Sequence, residues 1–306
     1  MSRERERIAK KMEKNPVAEC NKIQKKFYPE LFSKFAEVTD PRHSSYISYS
    51  SRVMLGTVYY KGIAGISSMQ EMTRNFNDDI VTKNLYHFMG SESKEYLPHG
   101  VTVNEFLERL EPAELEEIQS DIVYRMIRRK TFDDAKVLGK WLVIVDGTEL
   151  DEGKTQKNEN YLSRSYNKGK ENEFTKYHRS VLEAKIYFGN NIVCSMATET
   201  IENSAEYNEK KLSEEEIKQD CESKAFVRLA EKIKKHFPRL PICIVADALY
   251  VSENVMKLCK SNQWDYIIRY KEGCAPTVEE EYGNIPEKKK SETQNMLMEL
   301  YTKIQR

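Results

Sequence analysis

The chain has 306 residues, of which 39% are hydrophobic and 32% charged, and its 49 basic side chains balance its 49 acidic ones. That balance excludes a molecule drawn to nucleic acid by its overall charge, so any DNA contact has to come from local patches. No run approaches the roughly 18 apolar residues of a membrane span, and Met1-Ser-Arg-Glu-Arg-Glu-Arg lacks the apolar stretch of a signal peptide, so a cytoplasmic protein with no membrane partner is expected.

Residues 1–137 read as an all-helical N-terminal region. The stretch from Arg3 to Lys26 holds nine Lys/Arg and four Asp/Glu. Its cations Arg3, Arg5, Arg7, Lys10, Lys11 and Lys14 make a candidate DNA-binding arm, while the interspersed Glu4, Glu6 and Glu13 fit an ordinary solvated helix equally well. Asp40-Pro41-Arg42 breaks the chain. Tyr46 to Tyr60 then carries Met54, Leu55 and Val58 at helical spacing. Leu107 to Ile127 forms a long amphipathic pattern interrupted at Glu111-Pro112.

At Lys140 the period becomes that of strands, and residues 138–273 read as an α/β core. Leu142 to Val145 is a continuous apolar run, as in a central strand covered on both faces. Glu149 to Thr175 reads as a polar loop. Val181 to Phe188 alternates, Gly189-Asn190-Asn191 marks a hairpin turn, and Ile192 to Thr198 returns antiparallel. After an acidic loop (Glu206 to Asp220), Phe226, Leu229, Ala230, Ile233 and Phe237 define a helix stopped by Pro238. Ile242 to Ala246 is a second buried strand, Val251 to Cys259 a helix, and Tyr266 to Ile268 a last strand. Residues 274–306 form a charged tail. The six cysteines (Cys20, Cys194, Cys221, Cys243, Cys259, Cys274) include no CxxC pair and read as reduced core thiols of a cytosolic protein.

Two of these strands end in an acid: Trp141-Leu-Val-Ile-Val-Asp146-Gly-Thr and Ile242-Cys-Ile-Val-Ala-Asp247. Strand, strand, strand, helix, strand, helix, strand folds into a mixed five-stranded sheet flanked by helices, in which the fourth strand pairs in parallel with the first. Asp146 then lies beside Asp247, where a divalent cation can bind. Taken alone, Asp146-Gly147 is also ordinary turn chemistry. Asp146-Gly-Thr resembles the loop of haloacid-dehalogenase phosphatases, but the position of their nucleophilic aspartate is Ile144, which cannot attack phosphorus.

This order, with aspartates on the first and fourth strands, resembles the RNase H-like fold of DDE transposases, and the chain is similar to the transposases of bacterial cut-and-paste insertion sequences. Three stretches carry the resemblance: Gly139 to Thr148; His178 to Lys185 with Ala197 to Asn203; and Phe237 to Tyr250, running on through Trp264 to Gly273. With the Asp40-Pro-Arg segment it covers most of residues 40–275. The resemblance implies phosphoryl transfer on double-stranded DNA, both terminal inverted repeats and target, by a homodimer on the DNA. Asp146 and Asp247 would be the first two acids, holding two Mg²⁺ (or Mn²⁺) ions. It also implies a third acid, a glutamate on a helix after the fifth strand. The glutamates of the tail, Glu279, Glu280, Glu281, Glu287, Glu292 and Glu299, lie in no convincing match to that helix, and Val278 to Tyr282 resembles the start of an insertion. The chain is therefore expected to end before its third catalytic residue.

Among the other candidates, Arg164, Lys168, Lys170, Lys176 and Arg179 make a basic loop suited to phosphate contact, and it holds no cysteine pair for a metal knuckle. Arg269 and Lys271 sit at the sheet edge expected to face DNA. Tyr250, three residues past Asp247, reads either as facing DNA or as a partly buried tyrosine. His178 reads as structural or as approaching the site, and Glu183 and Glu202 as polar-face carboxylates with no special role. The rival to a transposase is a non-catalytic, transposase-derived module that binds DNA or inhibits a full-length transposase; a general RNase H-like nuclease is a third reading.

Overall fold

In the computed structural model the described residues are 15–158, 160–202, 221–271, 273, 276–287 and 289–290. The cationic cluster Arg3 to Lys14, the acidic loop Glu206 to Asp220, Cys274, Glu292 and Glu299 lie outside them. The chain divides into two compact units, Met1–Ile118 and Gln119–Arg306. No described helix is long and apolar enough to cross a membrane.

The first unit is helical, with α1 (Pro16–Phe27), α2 (Leu31–Glu37), α3 (Ser51–Ile63), α4 (Met69–Phe76), α5 (Asp79–Met89) and α6 (Gly100–Arg109). Side-chain oxygens start the helices by taking amides that have no carbonyl partner. Asn15 accepts from Val17 and Ala18, Asp78 from Ile80 and Val81, and Ser68 from Glu71 in a Ser-x-x-Glu pattern. Gly90 ends α5 in the left-handed conformation, at φ 64°. Met54, Tyr60, Met72, Val103 and Phe106 are fully buried, and Phe32 stacks on Tyr60 with ring centroids 5.8 Å apart.

The helix expected over 46–60 begins only at Ser51, because Ser44–Tyr46 is a 3-10 turn. Arg42 organises that loop, pairing with Asp40 at 2.7 Å and donating to the Tyr49 carbonyl at 2.5 Å. The Arg42 hydrogen bond holds the Asp40 carboxyl below the usual carboxylate range. Pro112 opens α7 (Pro112–Arg128), a first-turn position where its missing N–H costs no hydrogen bond.

The second unit is built on a mixed sheet: β1 (Trp141–Gly153), β2 (Leu162–Tyr166), β3 (Phe174–Tyr187), β4 (Val193–Ile201), β5 (Ile242–Ala246) and β6 (Asp265–Ile268). β3 pairs antiparallel with β1, β2 and β4, while β1–β5 and β5–β6 are parallel. Tyr177 and His178 have partners on both β1 and β2, so β2 shares the β4 edge of β3 and lies end to end with β4. Helices α8 (Glu222–His236) and α9 (Glu253–Ser261) make the crossovers to β5 and β6, and α10 (Pro276–Gly283) follows. Gly189-Asn190-Asn191 turns the β3–β4 hairpin as the sequence predicts, with all three residues at positive φ.

One sheet face, with Val143, Val145, Leu182, Ile186 and Ile244, packs against Phe226, Leu229 and Ile233 of α8. Each such side chain, fully buried, contributes about 1.5–3 kcal/mol of transfer free energy. The other face carries a smaller cluster, Leu142, Tyr187 and Cys243, with Ile144, Val245 and Ile267 half-buried beside it.

The sheet has six strands where five were expected. The segment read as the polar loop Glu149 to Thr175 instead extends β1 to Gly153 and adds β2. Beyond Leu162, which is buried in the core, these segments present little buried face to impose an apolar alternation. Cross-strand pairs hold them together: Lys176 with Glu152, Arg164 with Glu149 at 3.7 Å, and Tyr166 stacked on Phe174 at 5.0 Å.

Candidate functional site

The β1–β5 register decides where the two aspartates stand. Trp141 pairs with Ile242, Leu142 with Cys243, Val143 with Ile244 and Ile144 with Val245, each partner 101 positions further along. Asp247 follows Asp146 by the same 101 positions. The ladder ends at Ile144 and Val245; two residues on, Asp146 within β1 and Asp247 just past the end of β5 stand at matching positions on neighbouring strands, which are spaced about 4.8 Å apart. Both are exposed. By the two-residue alternation of strands they share the face of Ile144 and Val245, away from α8.

The row extends further. Asp146 pairs directly with Glu183 of β3. On the other side, β6 follows β5 at a constant offset ending with Ala246 opposite Ile268, and the Arg269 amide donates to the Ala246 carbonyl at 3.0 Å, which brings Arg269 alongside Asp247. Glu183, Asp146, Asp247 and Arg269 thus line up across four neighbouring strands. Glu183 is half-buried and pairs with Lys185 at 3.0 Å. Read from sequence as a polar-face carboxylate without a role, it stands next to Asp146; only the β1–β3 register reveals this.

Asp146 has no hydrogen bond or ion pair among the described residues. Asp247 accepts the Leu249 amide at 2.9 Å through Oδ1, capping the 3-10 turn Ala248–Tyr250. Two carboxylates this close, one unengaged and the other using a single oxygen, repel each other unless a cation lies between them. Their hard oxygen atoms suit Mg²⁺ or Mn²⁺ in donor chemistry. Among the described residues, however, no group of three His, Cys, Asp or Glu side chains is placed to hold a metal ion.

Three of the alternative readings do not hold here. Gly147 is no turn residue: it lies inside β1, paired with Leu182. Tyr250 does not face outward. It is 1% exposed, packs edge-on to Phe226 at 5.7 Å and donates to Glu222 Oε2 at 2.8 Å. Burial, then the Glu222 contact and the nearby charges of Asp247 and Asp146, push its hydroxyl far above the usual tyrosine range. His178 does not approach the aspartates. It sits opposite Glu152, five positions from Glu183 along β3, or about 17 Å. It is buried with Nδ1 unpartnered, and burial lowers its pKa.

The basic residues fall into two groups. Arg269 and Lys271, just past the end of β6, are exposed and make no ion pair among the described residues, and Arg269 lies alongside Asp247. The other five lie on the ribbon formed by β2, the start of β3 and the end of β1, which rises from the sheet end that bears the aspartates. Three of these are partly neutralised: Arg164 by Glu149, Lys176 by Glu152, and Arg179 by Glu202 at 3.4 Å. Lys168 and Lys170, on the turn between β2 and β3, are exposed and make no ion pair among the described residues.

No protein-family model matches the chain, and no curated protein matches it. Among solved structures, the Mos1 transposase paired-end complex with left transposon end is similar at 12% identity, over 89% of this chain and 77% of that one, with a TM-score of 0.21. At that score the likeness carries no argument.

Proposed function

We propose that the second unit is a divalent-metal-dependent phosphoryl-transfer module acting on double-stranded DNA, of the DDE transposase kind and with an RNase H-like sheet. The observation that carries this reading is the common offset that sets Asp146 beside Asp247 on parallel strands. The strand order β4-β3-β1-β5-β6, with antiparallel strands first and parallel crossovers after, supports it, as does the resemblance of the strand-end sequences.

In this reading Asp146 and Asp247 bind the cation through the oxygens left free. Arg269 and Lys271 hold the DNA phosphates beside them, and Lys168 and Lys170 reach the backbone further along the duplex. A bound divalent cation would supply charge stabilisation at the phosphoryl oxygens and a more acidic attacking water or 3′-hydroxyl. Pairing of two chains on DNA and action at element ends belong to the same proposal. The test is nicking or cleavage of duplex DNA with Mg²⁺ by the full chain, by Asp146→Ala and by Asp247→Ala. Cleavage surviving either substitution refutes the assignment.

A second reading, a non-catalytic DNA-binding or transposase-inhibiting module, is favoured by one observation. Among the described residues no group of three His, Cys, Asp or Glu side chains could hold a metal ion. It predicts a gel shift of the same DNA without Mg²⁺-dependent cleavage.

A further inference from the structure

Behind the aspartate pair, three chain segments meet at one carboxylate. A Cβ built on Gly147 would lie 2.7 Å from Glu222 Oε1 and 2.9 Å from its Cδ, closer than real Cβ atoms come. Gly147 lies in regular strand without positive φ, so no turn requires the glycine, and a side chain there would have to displace the carboxylate end of Glu222. The other carboxylate oxygen of Glu222 accepts from Tyr250, whose turn is the one that Asp247 caps. Glu222 therefore touches the residue after Asp146 and is bonded to the turn that follows Asp247.

Stability alone does not call for this arrangement: an acid in the first turn of a helix is favourable by itself and needs no bond to Tyr250. Glu222 makes no ion pair among the described residues, and its charge and those of Asp146 and Asp247 all act on one buried hydroxyl. Acids gathered without a cation repel, and a phenylalanine would fill the space of Tyr250 without needing a partner.

We infer that Glu222 and Tyr250 are positioning residues, which fix the spacing of Asp146 and Asp247 by tying the end of β1 and the turn after β5 to the start of α8. The inference rests on the proposed metal site and deepens it: groups that orient ligands typically change metal affinity by about 10–100-fold when removed.

The test uses the full chain with Mn²⁺ alone as probe, titrated well below the melting temperature. Wild type is expected to bind, and Asp146→Ala to abolish binding. Tyr250→Phe and Glu222→Gln should each weaken it about tenfold while keeping the wild-type circular dichroism spectrum. A purely structural role would lower the melting temperature and leave the affinity unchanged. If wild type binds Mn²⁺ and both Tyr250→Phe and Glu222→Gln match it, the positioning role is overturned and the metal site stands. If wild type binds none, both fall.

Discussion

Replacing Asp146 by Asn should make the second unit more stable without divalent cations and less responsive to them. The perturbation keeps the side chain's shape and removes one of two like charges on adjacent strands. At about 5 Å, two unit charges repel by about 0.8 kcal/mol in a water-like dielectric and about 3 kcal/mol at an effective dielectric constant of 20. Both carboxylates are exposed, so the lower figure applies. In the unfolded chain the acids are far apart in sequence and the repulsion is largely absent. For a unit the size of Gln119–Arg306, about 0.8 kcal/mol corresponds to a rise in Tm of roughly 2–3 °C in EDTA. With Mg²⁺ at ten times its Kd, wild type should gain about 1.4 kcal/mol, or roughly 3–6 °C, and Asp146→Asn much less. Thermal melts of both proteins, with EDTA and with Mg²⁺, decide the matter. The juxtaposition is refuted if Asp146→Asn melts at or below wild type in EDTA and both proteins respond alike to Mg²⁺.

Three further outcomes are expected. Lys168→Ala/Lys170→Ala should flatten the salt dependence of duplex-DNA binding, reducing the slope of log K against log salt by about 1.8 if each lysine meets one phosphate; an unchanged slope removes the ribbon tip from the interface. Phe174→Ala deletes the ring stacked on Tyr166 and should loosen β2 by about 0.5–1.5 kcal/mol, seen as faster amide exchange across Leu162–Tyr166 with the β5 amides unaffected. Burial keeps His178 neutral, its folded pKa lying below the unfolded 6.5, so its contribution is present above that value and is lost as pH falls through the folded pKa. His178→Leu should therefore reduce the fall in Tm on acidification below about pH 6.5; a variant with the wild-type pH profile refutes this.

What could be read from the sequence was whatever burial had written into it. Leu142 to Val145 and Ile242 to Ala246 are apolar throughout because both of their faces are covered, and each run stops at the residue where the sheet meets solvent. That is why Asp146 and Asp247 stood out. The offset that aligns them is a long-range β1–β5 register, and no residue in either strand encodes it. The ribbon is hidden for the opposite reason: with little buried face, its order comes largely from pairs such as Lys176–Glu152 and Tyr166–Phe174, which involve residues 24 and 8 positions apart and so leave no local period. Glu222 was the least visible of all. An acid in the first turn of a helix is favourable on its own, through the helix dipole, and needs no further reason in the sequence. Gly147 carried the missing clue. A glycine in the middle of a strand costs stability, so an Asp-Gly pair inside β1, and not at its end, points to something that approaches closely, here the carboxylate end of Glu222, which a side chain would have to displace.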